Sequence, residues 1–198
     1  KLHTGSDNFV RPSMGAWVSY GLGTENTDLP SFVTICPTLA HGGLNNWGSA
    51  FLPAHYAGTP IGNASIKAKD AKVHHIKNPK WTSSQQRAQL DFLKRLNQDH
   101  LETTPNPVLE SRINSFELAF RMQTSMPEIQ DISSESAATR KLYGLDNEVT
   151  EDFGLQCLMA RRFAERGVRF VQVYTANQLW DSHGSIASRL PAACQKVD

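Results

Sequence analysis

An aspartate and a histidine stand two residues apart near the end of the chain, at Asp181 and His183. At this spacing on a loop, a carboxylate and an imidazole can reach one divalent cation, such as zinc, calcium or a similar metal. The two residues also fit a plainer interpretation, in which Asp181 caps the next helix and His183 is a surface loop residue. The spacing alone leaves both interpretations open.

A helix and a strand must position this pair. Residues 168–174, VRFVQVY, form a mostly apolar run after Gly167 and predict a buried parallel strand. The helix predicted before that strand, over 151–166, has four residues assigned to its inward face: Phe153, Cys157, Ala160 and Ala164. Because ligands of open α/β sheets bind beyond the carboxyl ends of strands, a site is expected on the loop that follows.

The remaining patterns predict more helices and one more strand. Residues 11–23 favour a short helix and residues 31–35, SFVTI, a strand, whereas residues 38–81 are rich in glycine and proline and predict a loop. A possible capping box at Ser83 and Gln86 predicts a helix near 84–98. A further helix is predicted from Asn106-Pro107 to just before Pro127.

Together these elements predict an α/β fold with a partial, mostly parallel sheet and a helix-rich and loop-rich insertion. We expect a single incomplete domain over 1–198, made of a helix–strand unit (1–36), the insertion (37–150) and a helix–strand–loop–helix unit (151–198). Two strands do not make a stable parallel sheet, so further strands are expected outside this sequence. The first residue, Lys1, is not methionine, which also suggests an internal fragment.

Composition excludes several classes of protein. With 20 Lys plus Arg against 19 Asp plus Glu, the net charge is +1, which argues against a nucleic-acid or anionic-membrane binder. No apolar run reaches the roughly 18 residues that a membrane span needs. The cysteines, Cys36, Cys157 and Cys194, have no CxxC spacing, and we interpret them as small buried hydrophobic residues. P-loop, dinucleotide and G-x-S-x-G motifs are absent.

Several strings together resemble a family of bacterial proteins, domain of unknown function 1501. They are HTGSDNFVRPSMGAWVSYGLGTEN with LPSFVTI (3–35), NWGSAFLPAHYAGT (46–59), SFELAFRMQ (115–123), YGLD (143–146), CLMARRFAERGVRFVQVY (157–174) and WDSHG (180–184). The resemblance covers nearly all 198 residues in collinear order. It implies an alkaline phosphatase-like or sulfatase-like fold with a two-metal centre at the strand ends. It also implies export to the periplasm or cell envelope, although no targeting signal is visible.

The resemblance implies that Asp181 and His183 are metal ligands, with the nucleophile (a Ser, Thr or modified Cys) outside this sequence. Their D-x-H spacing departs from the Asp-x-x-x-His of phosphatases, which leaves open which metal each would bind. The implied activity is hydrolysis of sulfate or phosphate esters of a small molecule or polysaccharide. His41, Trp47 and Tyr56 are the residues expected to contact substrate, although aromatic residues equally build cores. The alternative is a non-catalytic binding or structural envelope protein that retains the fold.

Overall fold

A computed structural model describes residues 1–6, 8–40, 42–73, 76, 78–175 and 179–198. Within them lie nine elements: α1 (Met14–Leu22), β1 (Phe32–Ile35), β2 (Thr59–Ile61), α2 (Ser83–Thr103), α3 (Pro107–Gln130), α4 (Ala137–Leu142), α5 (Glu151–Glu165), β3 (Phe170–Val173) and α6 (Ile186–Cys194). Short 3-10 turns occupy Gly43–Asn46, Ala54–Tyr56 and Ala68–Asp70. No helix of this described part is long and apolar enough to cross a membrane.

The three strands form one parallel sheet in the order β2-β1-β3. The register pairs Ile35 with Ile61 on one side and with Val173 on the other. The α/β fold class is therefore confirmed. The strand β2 was not predicted, because it is only three residues long, lies in a glycine-rich segment and contains Pro60. A proline is tolerated there because β2 is an edge strand, where one backbone donor is not needed for the ladder.

The main core lies between one face of the sheet and helices α3 and α5. Alternate strand residues point to this face, as the pleat requires. Its fully buried members include Val33, Ile35, Ile61, Ile129 and Phe163. The helix α1 covers the opposite face, where Gly15 lies against the ring of Phe32. A Cβ at position 15 would come within 2.5 Å of that ring, so the close approach requires glycine.

The helix α3 continues to Gln130, so the prediction that it ends before Pro127 is wrong. Proline removes one backbone hydrogen bond, but the residues around it are held by the tertiary structure. Met126 and Ile129 are buried in the core. The guanidinium of Arg162 donates to the carbonyl oxygens of Glu128 and Asp131 at distances of 2.7 and 2.9 Å. These contacts satisfy the end of α3 and offset the cost of the proline.

Two other local predictions are corrected by the structure. The capping box is one residue earlier than predicted, at Thr82 and Gln85 rather than Ser83 and Gln86. The Thr82 hydroxyl accepts from the backbone N–H of Gln85, and the Gln85 side chain accepts from the backbone N–H of Thr82. The inward face of α5 is also different. Ala164 is exposed, and the buried residues are Gly154, Leu155, Gln156, Leu158, Met159, Arg162 and Phe163. Ala160 does pack against the core and Phe153 and Cys157 are half-buried, so the prediction was wrong for Ala164 and incomplete for the rest. The reason is that α5 packs on its neighbours over a broader face, which includes a buried glutamine and a buried arginine.

Candidate functional site

The carboxyl ends of the strands border a cleft of about 260 Å³. Thr175, just beyond β3, lines it, as do the first turns of α5 and the end of the chain. The polar side chains around it come from Lys67, Glu148, Asp152, Gln156, Thr175 and Lys196. A cleft at this edge is where an open parallel sheet usually binds its ligand.

The start of α5 positions the polar groups of this cleft. Asp152 accepts a hydrogen bond from the backbone N–H of Ala68 at 2.7 Å, which fixes the 3-10 turn beside Lys67. Gln156, one turn later, donates its Nε2 to Asp152 Oδ2 at 3.3 Å. The other amide atom of Gln156, Oε1, is buried and has no hydrogen-bond partner in the described part of the chain. Gln156 therefore lines the cleft with one amide atom that the described residues leave unsatisfied.

Gly154 allows α5 to approach the preceding turn. A Cβ at this position would overlap the carbonyl oxygen of Tyr143. The same turn is held by Thr150, whose hydroxyl donates to the carbonyl of Gly144 at 2.7 Å. Because glycine has no side chain, α5 can leave this turn in the observed direction. That direction sets the positions of Asp152 and Gln156.

The predicted metal ligands lie close together on the loop after β3. Asp181 Oδ2 and His183 Nε2 are 2.8 Å apart, and both side chains reach solvent, 39% and 83% exposed respectively. Leu179, two residues before Asp181, lines the carboxyl-end cleft, which brings this loop to its edge. The pair offers one carboxylate and one imidazole, two of the ligand types that zinc binds. Among the described residues, no group of three or more His, Cys, Asp or Glu side chains could hold a metal ion.

Cys36 directly follows β1 at the same edge of the sheet. Its backbone adopts a left-handed conformation with φ of 50°, and its side chain is buried. Burial, and to a smaller degree the negative charge of Asp152, raises the pKa of its thiol to about 11. It is therefore protonated at neutral pH and is a poor nucleophile. All three cysteines are free, and the expectation of burial holds for Cys36 but is wrong for Cys194, which is exposed.

A network of polar and aromatic side chains lies on the face of the sheet opposite the main core. Gln172 donates to the hydroxyl of Tyr174, and its Nε2 lies 3.3 Å from His3 Nδ1. His3 stacks on Tyr174, and the indole of Trp47 meets the same tyrosine edge-on at 6.1 Å. Burial raises the pKa of Tyr174 to about 12 and lowers the pKa of His3.

Of the residues predicted to contact substrate, Trp47 and Tyr56 have different surroundings. Trp47 is only 4% exposed and packs in the network of His3 and Tyr174. Tyr56 lines a different cleft, beside Ser31 and Thr59 at the amino ends of β1 and β2. His41 lies outside the described residues. Their roles in substrate binding remain predictions.

Sequence reasoning missed the groups that line the carboxyl-end cleft. The one available signal was the pair of acidic residues in the first turn of α5, one of which is Asp152. Nothing in the local sequence singles out Gln156 or Lys67, because their roles depend on contacts with distant parts of the chain. Arg162 is both salt-bridged and buried, with its Nη1 2.5 Å from Glu135.

Fold and site together define an α/β protein whose polar groups gather beyond the carboxyl ends of a parallel sheet. The sequence model described as "Protein of unknown function (DUF1501)" matches residues 1–198, so the chain belongs to this family. No curated protein and no solved structure matches the chain.

Proposed function

We propose that this chain forms part of a metal-dependent hydrolase of sulfate or phosphate esters, with Asp181 and His183 among its metal ligands. The observation that carries the proposal is the 2.8 Å separation of Asp181 Oδ2 and His183 Nε2 on the loop after β3. The reaction class rests on the resemblance to alkaline phosphatase-like and sulfatase-like proteins. Further ligands and the nucleophile would come from residues other than this pair.

The donor types fit a divalent cation. A bound cation would stabilise the negative charge on the ester oxygens. Because Asp181 Oδ2 contacts Nε2 of His183, the imidazole would bind a cation through Nδ1, and the carboxylate would orient the ring as carboxylates often do beside metal-bound histidines. Lys67 and Lys196 line the adjacent cleft, and their ammonium groups would attract an anionic ester.

Metal binding tests the two ligands directly. We would measure zinc content and zinc affinity of the intact protein, together with Asp181→Asn and His183→Gln. Each substitution should weaken zinc binding by at least about tenfold, since loss of even a hydrogen-bond partner of a metal ligand weakens metal affinity by that factor. Asp99→Asn and His100→Gln serve as matched controls, because this exposed pair on α2 has no place at the cleft. Unchanged zinc stoichiometry and affinity in both test variants would contradict the assignment.

The reaction class needs a separate measurement. The zinc-loaded or calcium-loaded protein should release nitrophenol from 4-nitrophenyl sulfate or 4-nitrophenyl phosphate, and Asp181→Asn should abolish that release. Metal binding without hydrolysis of either ester would favour the alternative, a binding or structural protein that retains the fold.

We also propose, from the same resemblance, that the protein is exported to the periplasm or cell envelope. Fractionation of producing cells followed by immunodetection tests this proposal. Recovery in the cytoplasmic fraction alone would refute it.

A further inference from the structure

A second and larger cleft lies at the amino ends of the strands. It has a volume of about 640 Å³ and is walled by α1, by the segment around the 3-10 turn Ala54–Tyr56 and by the middle of α3. Ser31, just before β1, and Thr59, the first residue of β2, form part of its lining. In a parallel sheet the amino and carboxyl ends lie at opposite edges, so this cleft is separate from the one that Leu179 lines.

A row of aromatic side chains leads along the surface to this cleft. The row consists of Phe51, Trp17, Tyr20 and Tyr56, and the last of these lines the cleft itself. Successive ring centroids are 5.8, 6.0 and 5.3 Å apart, each pair in an edge-to-face arrangement. Phe51 is 70% exposed and Tyr20 52%. Four large rings are therefore held by one another with much of their surface open to solvent.

The lining of the cleft combines apolar side chains with neutral polar ones and is nearly uncharged. Among its described residues the only permanent charge is the guanidinium of Arg121, which has no carboxylate within salt-bridge distance in the described part of the chain. Its neighbour on the helix, Glu117, is instead bound through both oxygens by Arg87, at 2.9 and 2.6 Å. The rings of His55 and Tyr56 lie 4.0 Å apart, tilted by 44°, and desolvation lowers the pKa of His55, so its ring is neutral at neutral pH.

Neutral hydrogen-bonding groups complete the site. Asn114 and Ser115 line the cleft from α3, and Ser19 lines it from α1. The hydroxyl of Ser19 is buried and has no hydrogen-bond partner in the described residues. Buried polar atoms normally find a partner, so an unsatisfied hydroxyl in the wall of a cleft is a notable exception.

We propose that the amino-end cleft and the aromatic row bind an acidic saccharide, one whose sugar rings carry sulfate or carboxylate groups. The flat, exposed rings match the apolar faces of sugars, and the amide and hydroxyl groups match sugar hydroxyls. Arg121 supplies the bidentate donor that a sulfate or carboxylate needs, and no carboxylate of the described residues lies within salt-bridge distance of it. This cation is the feature that favours an acidic over a neutral saccharide.

This site stands apart from the metal pair, so it does not depend on the proposed hydrolase activity. Asp181→Asn and His183→Gln should leave saccharide affinity unchanged. Loss of metal binding with intact saccharide binding would separate the two proposals, as would the reverse.

Calorimetric titration of the intact protein tests the site with three hexasaccharides. They are a sulfated galactan fragment from carrageenan, its neutral counterpart from agarose, and an oligogalacturonate that carries carboxylates. We expect the two acidic saccharides to bind and the neutral one to bind at least about tenfold more weakly, since a charge-assisted bidentate contact is worth that much. Binding of the sulfated fragment alone, or of the oligogalacturonate alone, also supports the proposal and identifies the anionic group.

Variants assign the binding to this cleft. Arg121→Gln and Tyr56→Ala should each weaken acidic saccharide binding by about tenfold or more, and Arg121→Gln should remove the preference over the neutral fragment. Arg112→Gln on the same helix and Phe92→Ala on α2 are controls, because both residues are exposed and lie outside the cleft. Tyr56→Phe, which keeps the ring, guards against a folding defect and should bind like the native protein.

Three results would overturn the proposal. The first is that none of the three saccharides binds. The second is that binding persists unchanged in both Arg121→Gln and Tyr56→Ala. The third is that the variants alter the molar mass in solution by light scattering while saccharide binding is absent, which would make the aromatic row a contact between copies of the chain.

Discussion

The two ends of the parallel sheet differ in how their polar groups are used. At the carboxyl end, Asp152 is engaged with a backbone N–H and with Gln156, and Asp181 contacts His183. At the amino end the cleft is larger, its walls are apolar, aromatic and neutral polar apart from Arg121, and Arg121 forms no salt bridge among the described residues. The difference teaches that paired carboxylates and exposed aromatic rings occupy separate edges of one small sheet.

The largest effect is expected from Gly154→Val at the carboxyl end. The new side chain would collide with the carbonyl of Tyr143 and push α5 from the turn that places Asp152. We expect a loss of at least about 3 kcal/mol in the free energy of unfolding, measured by urea denaturation.

The matched control for this prediction is Gly21→Ala in α1, where an added Cβ meets nothing within 4 Å. Alanine should stabilise that helix by about 0.5–1 kcal/mol. Equal effects of the two substitutions would show that the close approach at Gly154 is not tight.

A smaller effect is expected from Asp152→Ala. The buried N–H of Ala68 would lose its acceptor, which costs about 2 kcal/mol. The loss should loosen the wall of the carboxyl-end cleft and leave acidic saccharide binding at the amino end unchanged. Asp146→Ala, in the exposed turn before α5, should change the free energy of unfolding by less than about 0.5 kcal/mol. If Asp152→Ala also weakened saccharide binding at the amino end, the independence of the two clefts would be contradicted.

The smallest effect concerns the protonation of His55 at the amino end. Desolvation lowers the pKa of His55 from 6.5, and the negative charge of Glu110 partly opposes that shift. Because the folded state binds this proton less readily than the unfolded state, the contribution of His55 to stability is present above pH 6.5. It declines as the pH falls through the lowered pKa.

An NMR titration of the His55 ring checks this prediction. The pKa should lie below 6.5 in the native protein and lower still in Glu110→Gln, where the opposing charge is gone. A pKa of 6.5 or higher would contradict the desolvation of His55 in the amino-end cleft, and the contrast between the two ends would weaken.

Sequence periodicity predicted the elements whose signals are local. The strands at 31–35 and 168–174 and the helices at 11–23 and 151–166 were all located correctly, because each combines an apolar pattern with a glycine or proline boundary. The strand β2 was not predicted, because a segment of three residues that includes Pro60 has no periodic pattern. The burial of Arg162 on α5 was not predicted either, because it depends on Glu135, which is distant in sequence.

The candidate sites were predictable only in part. Asp181 and His183 were found from residue type and spacing, and the structure brings their polar atoms together. Among the residues that line the amino-end cleft, the sequence singled out Tyr56 alone as a candidate site residue. Its other components come from α1 and α3, and no sequence window contains Ser19, Tyr56 and Arg121 together.

The sequence by itself determined the class of fold, the family, the balance of charge and the D-x-H pair, because each depends on composition or on residues close along the chain. Only the tertiary structure decided which polar groups are buried, which are paired and which are open to a ligand. Those properties arise when β1, β2 and β3 align in parallel and bring distant loops to the same edge. Desolvation and hydrogen bonding then act between residues that the sequence keeps more than a hundred positions apart, as Gln172 and His3 are.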